Sequence, residues 1–184
     1  MRAFLTLLIL LVAPLAVQAQ PSTVVLVRHG EKAPAPADNP PLSAAGRARA
    51  EALARVLADT HVDAVVTTGL ARTSATAAPL VRARGLTPII VAAGRDVSAH
   101  ARATAAAVRA RPAGEVVLVV GHSNTLPHII AALGGPEMPE LCDQEYATLF
   151  VLELRENGPA RLIRASFGDP DTEVDLNCHR GMRP

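Results

Sequence analysis

Aromatic residues are scarce in this chain of 184 residues. They make up 2% of the sequence, with no tryptophan and a single tyrosine, whereas 49% of all residues are hydrophobic. The length fits one domain, and the hydrophobic fraction is enough for a full core. That core must therefore be aliphatic.

An excess of charge of either sign is also missing. Eighteen Lys and Arg residues face seventeen Asp and Glu residues, and Lys32 is the only lysine. A chain so close to neutral offers no electrostatic basis for binding nucleic acid or an anionic membrane surface. We therefore expect neither as a partner.

The first nineteen residues have the composition of a secretory signal peptide. Arg2 is a short positive start, residues 3–17 are apolar, and Val17-Gln18-Ala19 is a small-x-small cleavage pattern. The apolar run is short for a membrane span, which needs about 20 residues, although a retained N-terminal anchor stays open. We expect cleavage after Ala19, export to the periplasm or the medium, a single mature domain over residues 20–184, and no stable membrane association.

Cysteine is limited to Cys142 and Cys178. An even count in an exported protein favours a disulfide between the two, with a pair of free thiols as the alternative. No C-x-x-C sequence is present, so a structural zinc site is not indicated.

Strands and helices alternate from Ser22 onward. Apolar runs predict four buried parallel strands, at 23–27, 62–67, 87–91 and 116–120. Helical patterns lie between them, with Ser43 and either Asp96 or Ser98 as N-caps. Residues 146–154 and 160–167 flank an Asn-Gly turn and predict an antiparallel hairpin. The order predicts an α/β fold, a three-layer sandwich with a mostly parallel central sheet.

Polar residues follow three of these strands. Arg28 and His29 come directly after the first strand, Arg72 follows the second, and His122 follows the fourth. The carboxyl ends of parallel strands share one edge, where ligands bind. Arginines and the N-terminus of a helix favour an anion there, and no carboxylate cluster suggests a divalent metal. The pattern predicts a phosphate-handling site.

Four ordered motifs lie at these predicted element boundaries. They are Leu26-Val27-Arg28-His29-Gly30-Glu31, Leu42-Ser43-Ala44-Ala45-Gly46, Arg72-Thr73-Ser74-Ala75-Thr76-Ala77 and Val120-Gly121-His122-Ser123-Asn124. In this order and spacing the mature chain resembles the smaller branch of the histidine phosphatase superfamily, also called phosphoglycerate-mutase-like.

The resemblance implies a phosphoglycerate-mutase-like fold and a phosphatase that needs no metal or other cofactor. His29 would be the nucleophile and would carry the phosphoryl group, and Arg28, Arg72 and His122 would bind the phosphate. The attacking ring nitrogen must be unprotonated, so we expect the other nitrogen to hold the proton against a backbone carbonyl.

Four further residues have two interpretations each. Glu31 is expected to contact substrate or to orient Arg28 or Arg72. Ser123 and Asn124 either bind substrate or cap the next helix. Asp96 is the only carboxylate in the stretch where the family usually carries its general acid, and it is either that acid or an N-cap, which we favour. Without a strong acid, good leaving groups would be preferred.

The segment between the second and fourth strands is too short for a helical cap over the site. We therefore expect an open pocket for a phosphorylated small molecule, glycan or protein. The alternative function is that of a catalytically weak phosphoanion-binding protein. The remaining histidines, His61, His100 and His179, are expected on the surface, and His128 is expected to be structural or at the rim.

Overall fold

The structure, a computed structural model, describes residues 22–171. The predicted signal peptide and cleavage site, Cys178 and His179 lie outside the described residues, so export, the disulfide and the surface location of His179 stay predictions. No helix in the described range is long and apolar enough to cross a membrane.

The described chain folds into six strands and four helices. They are β1 (Thr23–Arg28), α1 (Ala44–Val56), β2 (Ala64–Thr67), α2 (Ala71–Arg84), β3 (Ile89–Ile90), α3 (Val97–Arg109), β4 (Val116–Gly121), α4 (Leu126–Ala132), β5 (Thr148–Glu153) and β6 (Arg161–Ser166). The strands form one sheet in the order β3-β2-β4-β1-β5-β6. Neighbours from β3 to β1 are parallel, and β5 runs antiparallel to both β1 and β6. The predicted mostly parallel sheet and the hairpin are confirmed.

Helices cover both faces of the sheet. Alternate residues of β1 point to opposite faces: Val25 and Val27 pack in a cluster with residues of α1 and α2, and Val24 and Leu26 pack in a cluster with residues of α3 and α4. The result is the three-layer sandwich, with an aliphatic core in which Phe150 is the largest fully buried side chain.

Two helix starts follow the predicted capping. The Ser43 hydroxyl accepts a hydrogen bond from the Gly46 N–H (3.1 Å), and the Asp96 carboxylate accepts one from the Ala99 N–H (2.9 Å). These bonds satisfy amides that have no partner within the helix.

The start of α4 differs from the prediction. Helix α4 begins after Thr125 rather than after Ser123 or Asn124, and Thr125 makes no side-chain cap bond. The Thr125 hydroxyl instead accepts a hydrogen bond from the His122 N–H (3.0 Å), which closes a tight turn directly after β4. The predicted capping by Ser123 or Asn124 is therefore wrong.

The register of β1 and β4 positions the site. Arg28 lies opposite Gly121 in this parallel pair. The next residues along the two strands, His29 and His122, therefore lie next to each other at the same edge of the sheet. The helices that follow these strands lie on opposite faces of the sheet, which opens a crevice between them. Such a crevice is where open α/β sheets bind ligands.

Candidate active site

The two histidine rings meet where β1 and β4 end. The His29 N–H donates to the Gly121 carbonyl (3.0 Å), which continues the ladder by one residue. The ring centroids lie 5.3 Å apart in an edge arrangement. His29 and His122 are only 5% and 8% exposed, so both rings are buried at the base of the crevice.

The His29 ring has a fixed tautomer. Its Nδ1 lies 2.8 Å from the Gly30 carbonyl oxygen. A carbonyl only accepts hydrogen bonds, so Nδ1 carries the proton and Nε2 keeps its lone pair. The pKa of His29 is lowered to about 4, mainly by burial and in part by the neighbouring Arg28 and Arg72, against the opposing effect of the Gly30 bond. The ring is therefore neutral at neutral pH, with the geometry that the sequence predicted.

The His122 ring is held less firmly. Its Nε2 lies 3.4 Å from the Thr68 hydroxyl, and its buried Nδ1 has no hydrogen-bond partner. Burial, followed by the proximity of His29 and Arg72, lowers the pKa of His122 to about 3. An unpartnered buried ring nitrogen is costly, and here it marks a ring that is free to face a ligand.

Arg28 joins the site to a distant segment, residues 142–146, which we name the 142–146 loop. One terminal nitrogen donates to the carbonyls of Cys142 (2.8 Å), Asp143 (3.0 Å) and Glu145 (3.2 Å). The other donates to the Tyr146 hydroxyl (3.3 Å), and the guanidinium carbon lies 4.0 Å from the Tyr146 ring centroid. The buried Nε has no partner. Arg28 is therefore a structural anchor that keeps one edge of its guanidinium free for an anion.

Arg72 supplies the second guanidinium, in the first turn of α2. It is half-buried, and its buried Nε also lacks a partner. Burial, with the nearby charge of Arg28, lowers its pKa. No carboxylate of residues 22–171 pairs with Arg28 or Arg72, so two cationic groups face the crevice without internal neutralisation. That arrangement suits a phosphate, because guanidinium groups match its geometry and charge.

Glu31 does not orient either of these arginines, so that part of its prediction is wrong. One carboxylate oxygen accepts from Arg49 Nε (3.0 Å) and from an Arg49 terminal nitrogen (2.7 Å). Arg49 also donates to the carbonyls of Phe167 and Asp169. Glu31 and Arg49 thereby tie α1 to the turn after β6. Contact between Glu31 and substrate stays a prediction.

The glycines of two motifs are explained by a close backbone approach. A Cβ added to Gly30 would lie 2.8 Å from the Gly46 carbonyl oxygen, and one added to Gly46 would lie 2.2 Å from the Glu31 carbonyl oxygen. The Gly30 N–H donates to the Thr76 hydroxyl (2.9 Å), which donates in turn to the Arg72 carbonyl (2.8 Å). The corner after β1 is thus bound to both α1 and α2.

The remaining candidates lie as follows. Ser123 and Asn124 are half-buried in the turn before α4, and their contact with substrate stays a prediction. Asp96 is exposed and caps α3, as favoured. His61 is 85% exposed, whereas His100 is 5% exposed, so its predicted surface location is wrong. His100 lies on the inner side of α3 and its Nδ1 bonds the Ala92 carbonyl (3.0 Å).

A cavity of about 590 Å³ lies beside the site. It is bordered by Glu31 and Arg49, by Arg55, and by Tyr146 and Asp171. Tyr146 borders the cavity, and its ring centroid is 6.3 Å from that of His29. The sequence pattern placed Tyr146 only at the start of a predicted strand. Its being the single tyrosine of the chain was the one signal that marked it.

Comparison with known families agrees with this geometry. Residues 24–94 match the model of the histidine phosphatase superfamily (branch 1). The matched stretch includes Arg28, His29 and Arg72, whereas His122 lies beyond it and is placed by the β1–β4 register. No curated protein sequence matches the chain.

Solved structures share the fold over most of the chain. A candidate phosphohistidine phosphatase SixA from Agrobacterium tumefaciens is 27% identical, with a TM-score of 0.57 over 82% of this chain and 99% of that one. The mycobacterial glucosyl-3-phosphoglycerate phosphatase is 20% identical, with a TM-score of 0.62 over 78% and 97%. The protein histidine phosphatase SixA in complex with tungstate is 19% identical, with a TM-score of 0.61 over 78% and 96%.

The chain is a phosphatase of the α/β class, with histidines and arginines at the carboxyl edge of its sheet. Over residues 24–94 the chain matches the histidine phosphatase superfamily (branch 1), and it is similar along most of its length to a candidate phosphohistidine phosphatase. The predicted family, fold class and enzyme class are therefore confirmed.

Proposed function

We propose that the protein is an exported, metal-independent phosphomonoester phosphatase that works through a phosphohistidine on His29. The observation that carries the proposal is the fixed His29 tautomer, with Nδ1–H on the Gly30 carbonyl. It leaves the Nε2 lone pair available at the edge where Arg28, Arg72 and His122 converge.

In the first step His29 Nε2 attacks phosphorus and the bond to the leaving oxygen breaks. Charge is spread over the three equatorial oxygens of the transferring group. Arg72 and the free edge of Arg28 face these oxygens, and His122 offers an N–H from a ring that no protein group fixes. Such donors act strongly because they are oriented before the reaction in a site with little water.

In the second step water attacks the phosphohistidine, phosphate leaves, and His29 returns to its starting state. The Gly30 carbonyl keeps the ring in one orientation through both steps. Metal independence is supported by the two arginines, whose charge no carboxylate of residues 22–171 offsets.

A phosphorylated small molecule, glycan or protein fits the open approach. Only α2, β3 and α3 lie between β2 and β4, so no helical cap closes the crevice within the described residues. The A. tumefaciens relative is named for phosphohistidine, but the signal peptide of this chain favours a substrate outside the cytoplasm. Fractionation of cells followed by N-terminal sequencing tests that point: we expect the protein outside the cytoplasm with Gln20 first, and recovery from the cytoplasm alone would contradict export.

The test is hydrolysis of p-nitrophenyl phosphate by the mature protein, with and without EDTA, alongside His29→Ala. We expect activity that EDTA does not change and that His29→Ala abolishes. His61→Ala is the matched control, because it removes a histidine that is 85% exposed. Undiminished activity in His29→Ala would overturn the nucleophile, and loss with EDTA would overturn metal independence. Phosphate binding without turnover in the wild type would support the anion-binding alternative.

A further inference from the structure

Tyr146 occupies a position that no other part of the mechanism uses. Its ring lies 6.3 Å from the His29 ring, and its hydroxyl is 3.3 Å from a terminal nitrogen of Arg28. We propose that Tyr146 is the general acid that protonates the leaving oxygen. This inference rests on the proposed phosphatase function and supplies a general acid in place of Asp96, which caps α3.

The 142–146 loop holds Tyr146 in place from several sides. Arg28 binds three carbonyls of the loop, and the Asp171 carboxylate accepts from the Tyr146 N–H (2.9 Å). The Glu145 side chain is buried, accepts from the Cys142 N–H (3.2 Å) and the Thr148 hydroxyl (2.7 Å), and pairs with Arg164. A phenol fixed in this way needs little rearrangement to act on a bound substrate.

Two cationic side chains lie near Tyr146. Arg28 both stacks over the ring, with its guanidinium carbon 4.0 Å from the centroid, and reaches the hydroxyl. Arg72 also interacts electrostatically with Tyr146. Among residues 22–171, Asp171 is the one carboxylate bound to this residue, and it accepts from the backbone N–H rather than from the phenol. A phenolate formed here would therefore face two cations.

The proton balance is complete without any added reactant. As His29 Nε2 bonds to phosphorus and the phosphorus–oxygen bond breaks, the phenol proton passes to the leaving oxygen and a phenolate remains. Water then attacks phosphorus, the phosphorus–nitrogen bond breaks, and the proton of that water returns to the phenolate. A phenol is a stronger acid than an aliphatic alcohol, so the first transfer is favourable for alkyl phosphates.

Three nearby carboxyl groups are already bound to other groups of the protein. Asp96 caps α3, Glu31 is bound by Arg49, and Glu145 is 2% exposed and paired with Arg164. His122, whose pKa burial lowers to about 3, is a poor proton donor in the free site. Asp143 is exposed and borders the cavity, so the experiment must distinguish it from Tyr146.

Tyr146→Phe tests the proposal with two substrates that differ in their leaving group. β-Glycerophosphate releases an alkoxide and needs an acid, whereas p-nitrophenyl phosphate releases a stable phenolate and does not. We expect kcat to fall about a hundredfold for β-glycerophosphate and by less than about threefold for p-nitrophenyl phosphate. An equal loss of kcat for both substrates would indicate that Tyr146 has only a structural role and would overturn the proposal.

Asp143→Asn is the comparison variant. We expect it to leave the ratio of the two substrates unchanged. A selective loss of β-glycerophosphate hydrolysis in Asp143→Asn, with none in Tyr146→Phe, would assign the acid to Asp143 and overturn the proposal. Activity of His29→Ala toward p-nitrophenyl phosphate is the separate result that would overturn the phosphatase mechanism itself.

Because Tyr146 is the only tyrosine and the chain has no tryptophan, its phenol is visible directly. The rise of phenolate absorbance with pH in the full chain belongs to this residue alone. We expect the alkaline limb of kcat for β-glycerophosphate to coincide with that absorbance change and to be absent in Tyr146→Phe. An alkaline limb that persists in Tyr146→Phe would contradict the role.

Discussion

The corners that follow β1 and β4 each present a histidine, but the two rings are held differently. His29 is fixed by a 2.8 Å hydrogen bond from Nδ1 to the Gly30 carbonyl. His122 has a buried Nδ1 without a partner and only a 3.4 Å contact from Nε2 to Thr68. One protein group thus decides the tautomer of the first ring, and none decides that of the second.

The difference supports the separate roles that we propose for two residues of the same type. A nucleophile needs a lone pair in a fixed direction, and a backbone carbonyl on the opposite nitrogen provides it. A group that binds charged oxygens needs an N–H that can donate a hydrogen bond to the ligand. A ring that the protein does not hold in one hydrogen-bonded state provides such an N–H. Desolvation lowers the pKa of both rings, so the contrast lies in hydrogen bonding rather than in burial.

The largest expected effect is a divergence between the two alanine variants. His29→Ala should form no phosphoenzyme, because the bond to phosphorus cannot form. His122→Ala should still form it, with a rate about a hundredfold to a thousandfold lower, because only a donor to the phosphate is lost. Rapid-quench labelling with an acid-labile, base-stable phosphoryl group measures this. A phosphoenzyme in His29→Ala but not in His122→Ala would reverse the two roles.

The second effect concerns stability in acid. The pKa of His29 falls from an ordinary 6.5 to about 4 on folding, so the unfolded chain binds more protons between those values. Stability should therefore be unaffected above about pH 6.5 and should fall as the pH drops toward 4, by about 3 kcal/mol for this group.

Urea unfolding of the wild type and His29→Asn over this pH range measures that contribution. The loss should be smaller in His29→Asn but should not vanish, because burial also lowers the pKa of His122. Identical acid losses in the two proteins would show that His29 is not desolvated as the structure has it.

Local patterns in the sequence were enough for the elements that carry the site. The apolar runs of β1 and β4 end at Arg28 and Gly121, so the adjacency of His29 and His122 followed from parallel pairing alone. The third strand is shorter than predicted because it lies at the edge of the sheet. β3 pairs only with β2 and keeps two residues, Ile89–Ile90, of the five predicted at 87–91.

Contacts between residues that are far apart in the sequence could not be predicted from local patterns. Arg28 bonds residues more than a hundred positions away, and nothing near it in sequence indicates the 142–146 loop. Glu31 pairs with Arg49 because α1 folds back on the corner through the Gly30–Gly46 contact. His100 was misplaced because a histidine is ordinarily expected at the surface, whereas this one lies on the buried face of α3 and its ring bonds the Ala92 carbonyl, a contact that the sequence does not show.

The smallest expected effect compares the hydroxyls that support each corner. The Thr76 hydroxyl accepts from the buried Gly30 N–H (2.9 Å), so Thr76→Val leaves that amide unsatisfied and should cost about 1–3 kcal/mol of unfolding free energy. Thr68→Val removes a weak 3.4 Å contact to His122 and one hydroxyl pair with Thr73, and should cost about 1 kcal/mol.

Urea unfolding measures both costs, and the activity of each variant adds a second test. Thr76→Val should also lower kcat, because the Gly30 carbonyl that fixes the His29 tautomer belongs to the same corner. Thr68→Val should leave phosphoenzyme formation close to that of the wild type. A larger loss of kcat in Thr68→Val than in Thr76→Val would mean that Thr68 fixes the His122 ring. That result would contradict the proposed difference between the two corners.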